Sequence, residues 1–114
     1  MATTADDIIR RARSLLQDNT VPYRYSELDL VDAINDALDR VVFLRSDLFI
    51  TEEFAPTHVT AGASILNIPT LVVYPMTLFV VGYMMLREDE YSEDGRAVAL
   101  LGAASNLLTE RPGA

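Results

Sequence analysis

Four aspartates recur along one stretch of the chain: Asp29, Asp32, Asp36 and Asp39. Spacings of three and four residues gather them within about a quarter-turn on one helix face, at about 100° per residue. Carboxylates grouped in this way suggest three kinds of chemistry. Holding a cation would need a supporting second shell, which the pattern does not supply. A solvated face of an amphipathic helix is the simplest reading. The third is a surface that repels phosphates from a passage through which DNA moves.

The remaining candidates for chemistry are few. His58 is the sole histidine. A Ser–His pair needs an orienting third group and an oxyanion site, and nothing in the sequence marks either. His58 therefore reads as a histidine of an irregular loop. The acidic run after Arg87 invites a calcium loop, which from Asp89 would need an acid at the third position and a glutamate at the twelfth. Tyr91 and Leu100 stand there instead, so a solvated inter-helix turn is expected. The chain has no cysteine, which excludes disulfides, zinc–thiolate sites and thiol nucleophiles. With no nucleophile, metal cluster or phosphate loop, the expectation is a protein that is not an enzyme and uses no cofactor.

Charge narrows the partners. The formal net charge is −8, and a sequence-reading nucleic-acid binder normally shows a basic patch. All nine positive residues are arginine. That bias fits either interface chemistry or the codon usage of a GC-rich genome. Tyr23 and Tyr25 flank Arg24, a grouping that suits an interface hot spot and equally suits packing against helix ends. Half the residues are hydrophobic, enough for a well-filled core or for some apolar surface reserved for partners.

The elements that position these residues are mainly α-helical. The spacing predicts a single domain over 1–114, a four-helix bundle with helices at about 5–18, 27–45, 75–89 and 94–110. Thr4 is the expected N-cap of the first helix, with Asp7 three residues on. Ala5, Ile8, Ile9, Ala12, Leu15 and Leu16 share its buried face, with Arg10, Arg11 and Arg13 away from it. Ser26 caps the second helix. Leu30, Val31, Ile34, Leu38, Val41 and Val42 form its apolar side, and the aspartates lie roughly opposite.

Residues 47–70 lack helical periodicity. They read as a long loop or a small β-hairpin, with strands at 49–54 and 64–68 joined through Thr60-Ala61-Gly62. The third helix opens with Pro75 at its first position and is apolar all round, which places it centrally in a core or in a membrane. A span needs about 20 apolar residues. Pro69 and Pro75 divide the uncharged stretch, leaving 76–86, about 16 Å of helix. No membrane association is expected. In the fourth helix, Ala97, Leu100, Leu101, Ala104, Leu107 and Leu108 form the buried side, and Gly102, Ala103 and Ala104 let another helix approach.

This layout resembles the small head-to-tail adaptor (connector) proteins of tailed bacteriophages. The resemblance covers about residues 4–110. It is carried by Asp6-Asp7-Ile8-Ile9 at the head of the first helix and by the turn Pro22-Tyr23-Arg24-Tyr25-Ser26. Ala33-Ile34-Asn35-Asp36-Ala37-Leu38 and Arg45-Ser46-Asp47-Leu48-Phe49 extend it. So does the apolar run from Phe79 to Leu86 with its acidic turn and alanine-rich helix. Its motifs are helix faces and turns, with no catalytic signature.

The resemblance implies a virion structural protein of the head–tail neck, present in the host cytoplasm during assembly. Such subunits form a homo-oligomeric ring, commonly twelvefold, that docks on the portal, extends the DNA channel and carries tail or nozzle proteins. DNA passes through without sequence-specific binding, and Asp29, Asp32, Asp36 and Asp39 become candidate channel-facing acids. The candidate interface comprises Tyr23, Arg24, Tyr25, Arg40, Arg45, Phe49, Phe54 and Arg87, with Arg40, Arg45 and Arg87 expected to meet acids of the next subunit. Few residues follow Glu110, where related adaptors carry a longer portal-gripping tail, so the 47–70 region is the alternative docking element. Two other readings stand beside this one: a small membrane-active phage lysis protein, and a generic helical protein-interaction module.

Overall fold

A computed structural model describes residues 3–18, 23, 25–49, 58–62, 64–86 and 95–109. Among them are four α-helices: α1 (Ala5–Leu15), α2 (Glu27–Leu44), α3 (Val73–Leu86) and α4 (Arg96–Thr109). Two short strands, β1 (Thr3–Thr4) and β2 (Ile65–Leu66), pair antiparallel with Thr3 opposite Leu66. The fold is mainly α, a helical bundle with a small two-stranded sheet, as the periodicity predicts.

Helix α3 is the axis of the bundle. Eleven of its residues, from Val73 to Met85, are buried, and it packs against α1, α2 and α4. Its lack of a polar face is explained by neighbours on all sides. Its one buried hydroxyl, Thr77 Oγ1, donates to the Val73 carbonyl at 2.9 Å, so no polar atom is stranded there. A 3₁₀ turn (Thr70–Val72) leads into α3, and Pro75 is its third residue. The helix thus starts two residues earlier than expected. Proline is harmless because the first four N–H groups of a helix have no intrahelical acceptor. At 14 residues, α3 is about 21 Å long, and among the described residues no helix is long and apolar enough to cross a membrane.

The caps form as the sequence predicts. The Asp7 carboxylate accepts the Thr4 backbone N–H at 3.0 Å, and Ser26 Oγ accepts the Asp29 N–H at 3.1 Å. In α2, Leu30, Val31, Ala33, Ile34, Ala37, Leu38 and Val41 are buried.

Several expectations need correction. The hairpin pairing is different: β2 pairs with β1 at the N-terminus, and Phe49 belongs to a 3₁₀ turn (Ser46–Phe49), while 50–57 lie outside the described residues. The reason lies in the orphan donors of α1's first turn. Ala5 N–H donates to the Ser64 carbonyl at 2.9 Å and Asp6 N–H to the Gly62 carbonyl at 2.8 Å, so Gly62 and residues 64–66 are drawn across the start of α1. Helix α1 also ends at Leu15, not 18. Gln17 takes a left-handed φ of 57°, and the Asp18 N–H closes back on the Arg13 carbonyl at 2.8 Å, a Schellman-like stop. Leu15 and Leu107, expected inside, are 46% and 47% exposed.

The close approach of α3 and α4 does not run through Gly102, where an added Cβ would meet nothing within 4 Å. It runs through Gly82 of α3, whose Cβ would stand 2.8 Å from Leu101 Cδ2. The last residues of the predicted third helix, 87–89, lie outside the described residues.

Candidate functional site

The sequence nominated two groups, a line of acids and a scatter of aromatic and arginine residues. The acids behave as one surface. Asp29, Asp32, Asp36 and Asp39 are all exposed on α2, opposite its buried side. They stretch along the helix without converging, and among the described residues no three acids or histidines are placed to hold a metal ion. Asp39 has a partner the sequence did not suggest: His58 Nε2 lies 2.7 Å from its Oδ1, both side chains well exposed. Burial pushes the Tyr83 hydroxyl above its ordinary value of 10, with Arg40 opposing and Asp36 adding a smaller rise.

The aromatic and arginine residues separate into different roles. Tyr25 is buried, at the wall of a cleft of about 680 Å³ that Tyr23, Ile9, Arg10 and Glu27 also line. Tyr23 is 51% exposed, with the Arg13 guanidinium 3.9 Å from its ring centroid. Arg13 itself is a correction: expected on the outer side of α1, it is buried. Its Nη1 donates to Asp18 Oδ2 at 2.7 Å and to the Tyr25 carbonyl at 3.0 Å. Asp18 also accepts the Tyr25 N–H at 3.1 Å. This network ties the end of α1 to the approach to α2. A signal existed in the sequence, since Arg13 stands four residues after Ile9 and therefore on the same face.

Arg45 is engaged within the chain. Its Nε and Nη2 bind the two carboxylate oxygens of Asp47 at 2.9 and 3.0 Å, and its Nη1 donates to the Leu108 carbonyl in the last turn of α4. The Asp47 hydrogen bonds hold the guanidinium above its ordinary value. These contacts clamp the end of α2 to the end of α4. Phe49 is half-buried and packs against the core. Arg24, Phe54 and Arg87 lie outside the described residues.

Arg40 keeps an outward position. It is exposed, with its guanidinium 5.6 Å from the centroid of the Phe43 ring. Phe43 is 71% exposed and was not nominated from sequence. Arg40 also lines a groove of about 420 Å³ with Phe79 and Tyr83 of α3 and Val98, Leu101 and Gly102 of α4. A second apolar place lies elsewhere on the bundle. Thr3, Thr4, Asp7, Arg11, Thr70, Val73 and Tyr74 line a cleft of about 530 Å³ between β1, α1 and the start of α3. Leu71 and Tyr74 beside it are 61% and 57% exposed.

Asn35 is the residue that sequence reasoning missed most completely. Its side-chain amide donates to the Val59 carbonyl at 2.9 Å and accepts the Val59 N–H at 2.8 Å. One polar side chain on α2 thus satisfies both backbone groups of a residue in the irregular region. Together with the His58–Asp39 contact, it moors the 58–59 segment to the outer side of α2.

No protein-family model, curated protein or solved structure matches this chain.

Proposed function

We propose that this chain is a structural subunit of the head-to-tail adaptor ring of a tailed bacteriophage, docking on the portal, extending the DNA channel and carrying the tail. The observation that supports this reading is the separation of its surfaces. A ring subunit needs apolar contact sites for its neighbours and a wall to which DNA does not adhere. Among the ten large apolar side chains exposed in the described residues, Val98 lines the groove against α4 and Tyr74 lines the cleft at the start of α3. Exposed apolar groups gathered beside clefts suit protein partners. The outer side of α2 carries four exposed aspartates, and phosphates passing such a face are repelled over about a Debye length, roughly 8 Å at physiological salt. The resemblance of the helix faces and turns to phage adaptors points the same way.

Co-expression with the portal protein of the same genome tests the proposal, followed by negative-stain imaging of the purified portal. The expected result is an added ring of density beneath it. A chain that stays soluble and never co-purifies with the portal overturns the reading in favour of a general interaction module. A chain recovered only with detergent overturns it in favour of a lysis protein.

A further inference from the structure

Arg13 is buried, yet its donors are not all used. Its side chain is 9% exposed, and Nη1 alone makes the hydrogen bonds to Asp18 and the Tyr25 carbonyl. Among the described residues, Nε and Nη2 have no hydrogen-bond partner. No buried side-chain nitrogen or oxygen among those residues lacks one, so both atoms reach solvent. The opening before them is the cleft of about 680 Å³ that Arg13 lines with Ile9, Arg10, Tyr23 and Glu27.

The Nε–Nη2 edge of an arginine is a fork matched to the two oxygens of a carboxylate. Arg45 carries the same edge filled: its Nε and Nη2 hold both oxygens of Asp47 at 2.9 and 3.0 Å. Arg10 stands one turn before Arg13 on the same face of α1. It is 74% exposed, and its ion pair with Asp7 is long, at 3.5 Å. At the other end of the cleft, the Asp6 and Glu27 carboxylates come together over Gly62, each within 3.0 Å of the place a Cβ would take. Asp6 and Arg13 are seven residues apart, so the two ends are separated by about 10 Å along the helix.

We infer that this cleft binds a single carboxylate carried on an apolar body, with its oxygens on Arg13 Nε and Nη2 and its body against Ile9 and Tyr23. Asp18 already balances Arg13, so Arg10 supplies the charge that balances the guest. The acidic end repels an anion of higher charge. The inference stands apart from the adaptor reading, because it needs no ring, and its failure leaves that reading where it was.

NMR of the side-chain Nε–H groups of the nine arginines in the full chain tests it. N-acetylphenylalaninate is the probe for a polypeptide end and phenylacetate the probe for a free acid. N-acetylphenylalaninamide and inorganic phosphate are the controls. A carboxylate probe is expected to move the Arg13 Nε–H signal saturably and to leave that of Arg45, whose edge is filled, in place. The tighter of the two names the source. Affinities of variants are read at the Tyr25 amide. Arg13→Lys keeps a cation beside Asp18 without the fork and should weaken binding at least about tenfold, the effect of losing a charge-assisted contact. Arg10→Gln lies at the surface, should keep its helicity, and should weaken binding about threefold, as for an exposed ion pair; it keeps the test open if Arg13→Lys does not fold. An Arg13 signal that neither carboxylate moves overturns the assignment. So do equal shifts with the amide or phosphate, or full affinity in either folded variant.

Discussion

Asp18→Ala removes the anion from a buried pair and leaves its cation in place. The Arg13 and Asp18 side chains are only 9% and 4% exposed, so water replaces little of the lost contact. The variant deprives the guanidinium of its 2.7 Å carboxylate partner and the Tyr25 N–H of its acceptor. The Tyr25 carbonyl and the Tyr23 ring remain to Arg13 but carry no full charge. Breaking a buried pair from one side costs about 3–5 kcal/mol, roughly a fifth or more of a stability of about 5–15 kcal/mol.

Urea unfolding followed by circular dichroism measures this loss. With a slope of about 2 kcal/mol per molar, the midpoint should fall by about 2 M. Arg13→Met should lose a comparable amount, because it leaves the carboxylate buried. The double variant Arg13→Met/Asp18→Leu should lose much less than the two singles combined, since an apolar pair carries no desolvated charge. Asp18→Ala within about 1 kcal/mol of the parent, or strictly additive singles, would refute the claim that this pair acts as one buried unit.

Three further outcomes follow from other contacts. Gly82→Ala should gain about 1 kcal/mol of helix propensity and lose about 1–3 kcal/mol to overpacking, because its Cβ would meet Leu101 Cγ at 2.9 Å and the Ala97 carbonyl at 3.3 Å; a thermal melt should show net destabilisation of about 1 kcal/mol, and a stabilised variant would contradict the tight α3–α4 approach. Asn35→Ala orphans both backbone groups of Val59 and should cost about 1–3 kcal/mol, with faster amide exchange at Val59 as the local signature and unchanged exchange there as the contrary result. The Asp7 carboxyl lies below its ordinary value of 3.8, chiefly because it accepts the Thr4 N–H, with Arg10 and Arg11 adding to this. A lowered folded-state value contributes stability above pH 3.8 that is lost as pH falls through that folded value; Asp7→Asn should therefore flatten the acid limb of a stability–pH curve, and identical limbs would argue against the capping role.

What the sequence by itself determined is the local part of this protein. Helices form where apolar spacing, a Thr4 or Ser26 cap and acids in the first turn agree, because those effects act within a turn or two of chain. The all-apolar run of α3 already required either a core or a membrane, and the aspartate line already lay opposite the apolar side of α2. Contacts between distant residues were decided by the tertiary structure. Nothing local announces that the carbonyls of Gly62 and Ser64 cap α1, that Asn35 holds Val59, or that Arg45 reaches Leu108, since each depends on how separate elements happen to meet. The same physics separated the arginines. Arg13 and Arg45 are alike in chemistry to Arg40, yet burial beside Asp18 and a clamp on α4 engage them within the chain, while Arg40 faces outward with Phe43. Exposure is a property of the packed surface: Arg40 was a candidate from its type alone, and Phe43 stood out only once the helices were in place.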